Sequence, residues 1–335
     1  MRSRGTDRVP VAERSSLGTL RELGSGGEGR VFEVLGSPGV TYKEYLYPDD
    51  SSRHETGLTR LIDIGGSIDK SLQASGLGSI TSLASWPTTV VRDHGEFVGY
   101  LMAKIPDHFM VSIQVGTNPI GTRRPLEWND LTYRSMSKPN VRMTASYPDN
   151  ILVRAHLARD FAFVVDALHT AGIILGDISG KNLLWSIANG PAIYLIDTDG
   201  FRIRFSGGVS SAKQSPGWID PTINGRETTV ESDRFKLGLA VYRGVFAARD
   251  DMPNQEWRTV VGAIAPQLVP PVDRLVSGER PTAHEWATAL DAFIRGEDVR
   301  TRPTLDLTTT TVPRVASPTP DKRSRPTIQL RPPSR

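Results

Sequence analysis

The hydrophobic pattern divides the chain into a strand-like first part and a helical second part. Apolar and polar residues alternate over residues 20–45, around a glycine cluster, and again over 88–92 and 97–105. Such alternation is typical of half-buried strands. We therefore predict a small antiparallel sheet. We also predict a helix that begins near Arg53 and is interrupted by the glycine- and serine-rich residues 65–85.

The second part begins with apolar residues at helical spacing over residues 151–168. Asp149 and Asn150 precede this run, and either could cap the helix. Three further helices are predicted, at residues 234–248, 255–265 and 283–295. Residues 106–149 are irregular and rich in turn formers, so we interpret them as a long insertion or linker between the two parts.

Both ends of the chain are expected to lie outside the fold. Residues 1–17 are interpreted as a flexible N-terminus, and residues 298–335 as a disordered, basic tail rich in Pro, Thr and Ser. From Arg300 onward eight basic residues face two acidic ones, a net charge of +6 that leaves −3 for residues 1–299, so the overall +3 does not indicate that the folded part binds nucleic acid. Pro318 and Pro320 could dock a protein partner, although a solvated linker is the simpler interpretation.

Composition limits the cellular context. The 335 residues are long enough for one large two-lobed domain or two ordinary ones. The chain has no cysteine, which excludes disulfides, a thiolate nucleophile and a cysteine-based zinc site. No apolar run reaches the roughly 18 residues that span a bilayer. We therefore expect a cytoplasmic protein with no membrane partner.

A glycine loop is the first candidate site. Its sequence is Gly24-Ser25-Gly26-Gly27-Glu28-Gly29-Arg30-Val31, in which glycines would let backbone N–H groups approach phosphate oxygens. A dinucleotide loop would need a helix directly after the last glycine, whereas residues 31–34 have the composition of a strand. The pattern therefore favours a loop between two strands, with Lys43 on the strand that follows.

Two acidic segments lie in the second part. Asp177 and Asn182 stand five residues apart, between a helix that ends in Leu168-His169 and an apolar strand. The next apolar strand runs into Asp197-Thr198-Asp199-Gly200-Phe201. Later segments include Trp218 to Thr222, Asp233 to Gly238, and Arg280 to Trp286.

In this order and separation, the motifs in residues 18–297 resemble the protein kinase superfamily, in particular a divergent bacterial or phage branch. The resemblance implies an α+β, two-lobed fold with a small antiparallel β N-lobe (about 18–105) and a mainly helical C-lobe (about 106–297). It also implies transfer of the γ-phosphate of ATP, with magnesium, to a serine or threonine hydroxyl of an unknown protein substrate.

The resemblance also implies roles for individual residues. Asp177 would accept or orient the hydroxyl proton, assisted by Lys181, and Lys43 would grip the α- and β-phosphates. Asn182 and Asp197 would hold magnesium, whereas Asp199 could be a second ligand or a turn residue. The glycine loop (Gly24, Ser25, Gly26, Gly27, Gly29, Val31) would cover ATP. Glu55 is favoured as the helix carboxylate that pairs with Lys43, with Asp63 as the alternative.

Several positions depart from the family pattern. Leu175 and Gly176 replace the histidine and arginine before the catalytic aspartate, so activation through a phosphate on the activation loop is not expected. Ser179 and Lys181 leave the acceptor specificity open. Thr222 replaces the glutamate that would pair with Arg280, and Glu227 is a possible substitute. Glu28 would place a carboxylate near the γ-phosphate.

Two other functions remain open. A pseudokinase or ATP-binding scaffold could act by recruitment through the tail, and the acceptor could be a small molecule rather than a protein. Retention of Lys43, Asp177, Asn182 and Asp197 together favours an active protein kinase.

Overall fold

The computed structural model describes residues 9–27, 29–46, 51–115, 122–132, 141–143, 147–203, 215–222, 228–248 and 251–298, without the side chains of 51–54, 115, 141–143, 297 and 298. The fold is α+β, with a mainly antiparallel sheet in the first part of the chain and helices in the second. The described residues contain no helix that is both long and apolar enough to cross a membrane.

A six-stranded sheet forms the first part. Its strands are β1 (Val11–Glu13), β2 (Leu20–Ser25), β3 (Gly29–Val34), β4 (Val40–Tyr45), β5 (Pro87–Asp93) and β6 (Glu96–Ala103). The order across the sheet is β1-β5-β6-β4-β3-β2, and every pair is antiparallel except β1 with β5. The predicted strands are thus confirmed. In this register Lys43 on β4 lies between Val31 on β3 and Tyr100 on β6.

The N-terminal segment is part of this sheet. We had interpreted residues 1–17 as flexible, but β1 pairs with β5 and a 3-10 helix follows at Arg14–Leu17. Leu17 is buried in a small apolar cluster with Phe32 and Tyr42. The pairing of β1 with β5 and the burial of Leu17 hold residues 9–17 on the sheet, and residues 1–8 lie outside the described residues.

Helix α1 (Ser51–Ala74) lies beside the sheet, and a short helix α2 (Ile80–Leu83) follows it. The predicted interruption from residue 65 is wrong, because α1 continues through Gly65 and Gly66 to Ala74. A Cβ atom on Gly65 would lie 3.2 Å from the indole nitrogen of Trp86. The glycine therefore permits close packing against Trp86, which offsets its low helix propensity.

The described residues within 106–149 are more structured than we predicted. They contain a 3-10 helix (Asp107–Phe109), a three-stranded antiparallel sheet of β7 (Met110–Val115), β8 (Thr122–Pro125) and β9 (Val141–Met143), and the one-turn helix α3 (Trp128–Leu131). Trp128 is fully buried, and its indole N–H donates to the carbonyl oxygen of Ala240 at 3.0 Å. The described part of this segment around α3 therefore packs into the helical core and is not a loose linker.

Five longer helices build the second part: α4 (Ile151–Thr170), α5 (Val230–Phe246), α6 (Gln255–Ile264), α7 (Val269–Val276) and α8 (Ala283–Asp298). Asn150 caps α4, since its side-chain oxygen accepts from the backbone N–H of Leu152 at 2.9 Å. Four of the five were predicted, whereas α7, which begins with Val269-Pro270-Pro271, was not. Helix α4 packs against α5 and α8 within one large apolar core.

Candidate active site

Two short strand pairs carry the acidic segments. They are β11 (Leu183–Ser186) with β12 (Ala192–Leu195), and β10 (Ile173–Ile174) with β13 (Arg202–Ile203). Leu183 lies opposite Leu195, and the backbone N–H of Ile196 donates to the carbonyl oxygen of Asn182 at 3.0 Å. Because the pair is antiparallel, the residue before β11 and the residues after β12 meet at one edge. Asn182 and Asp197 are thus brought together.

Asp177 lies at the same edge, at the other end of a tight loop. The side-chain amide of Asn182 donates to the Asp177 backbone oxygen at 3.0 Å and to its Oδ2 at 3.2 Å. Ser215 approaches from the opposite side: its backbone N–H is 3.3 Å from Asp177 Oδ1, and its hydroxyl oxygen is 3.5 Å from Oδ2. A hydroxyl group can therefore reach the Asp177 carboxylate.

Asp233, on the first turn of α5, fixes the backbone that leads into Asp177. Its buried carboxylate accepts from the N–H groups of Leu175 at 2.7 Å and Gly176 at 2.9 Å, and lies 3.2 Å from His169 Nε2. Gly176 has φ +79°, a conformation that favours glycine. The sequence placed Asp233 in a later motif without showing that it would hold this loop.

Lys236, one helical turn after Asp233, completes this support. Its ammonium group donates to the Gly176 carbonyl oxygen at 2.5 Å. Burial lowers the pKa of Lys236, against the opposing effect of the nearby Asp233 carboxylate. The loop is therefore held through its backbone at Leu175 and Gly176, which have no polar side chain of their own.

Lys43 projects from β4 into the acidic segment. Its ammonium group donates to both carboxylate oxygens of Asp199 at 2.9 Å and lies 3.7 Å from Asp197 Oδ1. The Tyr45 hydroxyl also donates to Asp199, at 2.7 Å. Burial alone would raise the pKa of Asp199, but Lys43 and the hydrogen-bonded tyrosines hold it below its usual value.

The two aspartates of this segment differ in exposure. The Asp197 side chain is 65% exposed and the Asp199 side chain only 6%. Asp197 also has φ +56°, in the left-handed region, and begins the 3-10 helix Thr198–Gly200. Asp197 can therefore meet an incoming ligand, whereas Asp199 is committed to Lys43. Sequence reasoning left Asp199 between a second ligand and a turn residue; the structure places it in the 3-10 turn, where its carboxylate also pairs with Lys43.

Glu55 is not placed as we predicted. Its carboxylate accepts from Arg92 on β5, at 3.1 Å from Nε and 2.5 Å from Nη2, while Lys43 is held by Asp199. The prediction relied on the distance along the chain to Lys43, which cannot show that an arginine on a neighbouring strand lies nearer. Glu55 therefore joins α1 to the sheet.

The glycine loop is a hairpin between β2 and β3, closed by the Gly26 N–H, which donates to the Gly29 carbonyl oxygen at 2.8 Å. A Cβ atom on Gly29 would come within 2.4 Å of the Glu44 carbonyl oxygen, so the strand pairing itself requires this glycine. Cβ atoms on Gly24 and Gly26 would meet nothing within 4 Å. Those two glycines are not needed for packing, and Glu28 lies outside the described residues.

Lys181 is exposed in the loop after Asp177. Its charge affects the pKa of Glu127, which lies just before α3. Burial and the charge of Asp130 raise the pKa of Glu127, and Lys181 acts in the opposite direction. Asn129 on α3 packs on the same loop, because its N–H donates to the Gly180 carbonyl oxygen at 3.0 Å.

Arg280 keeps an acidic partner that the sequence did not identify. Its guanidinium binds Asp220 through Nε and Nη2, both at 2.7 Å, and Thr222 Oγ1 at 2.8 Å. We had proposed Glu227, which lies outside the described residues. Asp220 was overlooked because it stands two residues before Thr222, the position at which the resemblance implied a partner for Arg280.

The edge that carries Asn182 and Asp197 offers oxygen ligands suited to magnesium. The described residues contain no group of three or more His, Cys, Asp or Glu side chains arranged for a metal ion. Asn182 and Asp197, however, supply one amide and one carboxylate at the same edge. Magnesium is commonly held by one or two protein oxygen ligands together with substrate phosphates and water, so these residues fit it.

The chain is similar to a bacterial protein kinase. It is 24% identical to "Protein kinase YegI" of Escherichia coli K12 over 252 residues, which cover 71% of this chain and 32% of that protein. The O157:H7 counterpart is 24% identical over 242 residues, covering 68% and 31%. No family model matches the chain.

The chain spans about a third of the length of these relatives. At this identity, the similarity supports a kinase-like relationship and leaves substrate and cofactors open.

Proposed function

We propose that the chain is an ATP- and magnesium-dependent protein kinase that transfers the γ-phosphate of ATP to a serine or threonine hydroxyl. The two parts of the fold would then be the two lobes of a kinase-like domain. One observation carries the proposal. Lys43 lies 3.7 Å from Asp197, the residue before Asp197 donates its backbone N–H to Asn182, and the Asn182 side chain donates to Asp177.

Each residue in this series has chemistry that phosphoryl transfer requires. Lys43 supplies a fixed cation for the α- and β-phosphates, and Asp177 orients the acceptor hydroxyl and takes its proton. A magnesium ion held by Asn182 and Asp197 would neutralise charge on the phosphates. The open space above Gly24 and Gly26 allows the nucleotide to approach the backbone of the loop.

The acceptor is inferred from Asp177 and its neighbour. The Ser215 hydroxyl reaches the Asp177 carboxylate at 3.5 Å, so a serine-sized hydroxyl fits there. The name of the E. coli relatives supports a protein acceptor. We propose an unidentified protein substrate in the cytoplasm. The basic tail, with Pro318 and Pro320, is a further docking candidate that lies outside the described residues.

The test is incubation with labelled ATP, magnesium and generic protein acceptors. The wild type is compared with Asp177→Asn, Asp197→Ala and, as a matched control, Asp107→Asn, whose side chain is 76% exposed and pairs with Arg123. We expect the first two variants to lose phosphate transfer by about 10²-fold or more and the control to keep it.

Other outcomes would identify the alternatives. ATP binding without transfer in any variant would indicate a scaffold. ATP turnover only with a small-molecule acceptor would indicate a metabolite kinase. Equal label in wild type and Asp177→Asn would refute the assignment of Asp177.

A further inference from the structure

Among the described residues, the carboxylate that binds Lys43 at both oxygens lies in a 3-10 turn. Helix α1 contributes Glu55, but that carboxylate is bound by Arg92 on β5. The carboxylate on Lys43 instead belongs to Asp199, 156 residues further along the chain, in the segment that also carries Asp197.

Lys43 and Asp199 form a bidentate ion pair, which we call the clamp. Nζ lies 2.9 Å from each carboxylate oxygen, so it is centred between them. The side chains are only 9% and 6% exposed, so water screens the pair little. Both oxygens of Asp199 are engaged, and Oδ2 also accepts from Tyr45.

Aromatic side chains of the sheet enclose the clamp. The ring of Tyr45 lies 5.8 Å from that of Phe97 and 6.1 Å from that of Tyr100, centre to centre. Tyr100 is fully buried. The Lys43 ammonium group lies 5.9 Å from the centre of the Tyr45 ring, so this aromatic cluster of strands β4 and β6 packs beside the pair.

The Asp199 segment is itself fixed to the rest of the fold. Thr198 is fully buried, and its hydroxyl donates to the Ser85 carbonyl oxygen at 2.6 Å. The Ser85 N–H in turn donates to the Leu195 carbonyl oxygen at 2.8 Å. Asp199 therefore stands on a short, anchored 3-10 turn, which limits how far its carboxylate can move.

We propose that Asp199 is the positioning residue for Lys43, in place of a helix carboxylate. Asp199 holds the ammonium group of Lys43 close to Asp197. One 3-10 turn therefore positions both the cation for the phosphates and the proposed magnesium ligand. Helix α1 is not required to position Lys43. The inference rests on the proposed function. Asp199 acts through Lys43 and does not contact the reacting atoms.

The experiment compares two carboxylate-to-amide changes of the same size, Asp199→Asn and Glu55→Gln, in the full chain. Dissociation constants are measured with a fluorescent ATP analogue, and kcat and KM for ATP by phosphate transfer. We expect Asp199→Asn to weaken ATP binding and raise KM by tenfold or more, and Glu55→Gln to stay within twofold. Tyr45→Phe, which removes one hydrogen bond to Asp199, should lie between them. Thermal unfolding shows that each variant is folded.

A double-mutant cycle separates positioning from a general structural role. If Asp199 acts through Lys43, Lys43→Met with Asp199→Asn should bind ATP as weakly as Lys43→Met alone. Additive losses, or a Glu55→Gln loss equal to that of Asp199→Asn, would overturn the proposal. If Asp199→Asn fails to fold, the cycle is made with Tyr45→Phe instead.

The outcomes also separate this inference from the proposed function. A wild type that binds the ATP analogue but transfers no phosphate would refute the kinase assignment alone, and the cycle would then be judged on dissociation constants. A wild type that binds no ATP would overturn both.

Discussion

Removal of Arg280 should destabilise the fold strongly. Arg280→Ala leaves the Asp220 carboxylate, 1% exposed as a side chain, without the two 2.7 Å hydrogen bonds that balance its charge. Loss of one partner from a buried ion pair costs about 3–5 kcal/mol, against a total stability of about 5–15 kcal/mol for a typical domain. The guanidinium also lies 4.9 Å from the ring centre of Phe235, and this contact is lost too.

The measurement is urea unfolding followed by tryptophan fluorescence. Arg123→Ala is the matched control, because Arg123 also pairs with an aspartate, Asp107, but the two side chains are 55% and 76% exposed. Exposed pairs of this kind contribute about 1 kcal/mol or less. The double variant with Asp220→Ala should be less destabilised than the sum of its single changes, since it leaves no buried charge.

The pH dependence of the unfolding free energy tests the Asp220–Arg280 ion pair independently. Burial alone would raise the pKa of Asp220, but hydrogen bonds from Arg280 and Thr222 hold it below its usual value. The pair's contribution is therefore fully present above the unfolded pKa of about 3.9 and is lost as pH falls through the lower folded pKa. The gap between wild type and Arg280→Ala should be widest near neutral pH and narrow below about pH 4.

The reasoning would be refuted if Arg280→Ala cost no more than Arg123→Ala at neutral pH. It would also be refuted if the difference in unfolding free energy between wild type and Arg280→Ala did not change with acid.

Three further predictions concern stability and ATP binding. Asn150→Ala should cost about 1 kcal/mol of unfolding free energy through the lost cap of α4, and Asp149→Ala less, as measured by urea unfolding. Gly244→Ala should cost about 1–3 kcal/mol, because its Cβ would lie 2.4 Å from the Trp128 ring; equal unfolding midpoints would contradict this. Gly26→Ala should change the unfolding free energy by no more than about 0.5 kcal/mol while weakening ATP binding severalfold in a titration. Unchanged ATP binding would indicate that the loop only connects two strands.

Local patterns were sufficient for much of the fold. The strands around the glycine loop and helices α4, α5, α6 and α8 follow from alternation and helical spacing within single segments. The failures have tertiary causes. Helix α1 continues past residue 65 because Gly65 accommodates Trp86, and the three short strands of the 106–149 segment gain order from one another and from the buried Trp128.

The candidate site, like the fold, could be predicted only in part. Asp177, Asn182 and Asp197 meet because each adjoins a strand or loop that the sequence marks clearly. The partners of charged groups could not be read in this way. Whether Lys43 takes Glu55 or Asp199 depends on which carboxylate lies nearer in space, and Arg92 and Tyr45, which decide it, have no signature along the chain.

The parallel pairing of β1 with β5 has a practical consequence for shortened forms of the protein. β1 is the outermost strand of the sheet and pairs with the edge of β5, whose Val90 and Val91 are buried. A shortened chain that begins at residue 18, where the sequence suggests that the kinase-like region starts, would lack β1. Strand β5 would then be an edge strand with unpaired N–H and C=O groups. Such edges recruit strands from other molecules. The shortened chain is therefore expected to self-associate even if every residue of the candidate active site is retained.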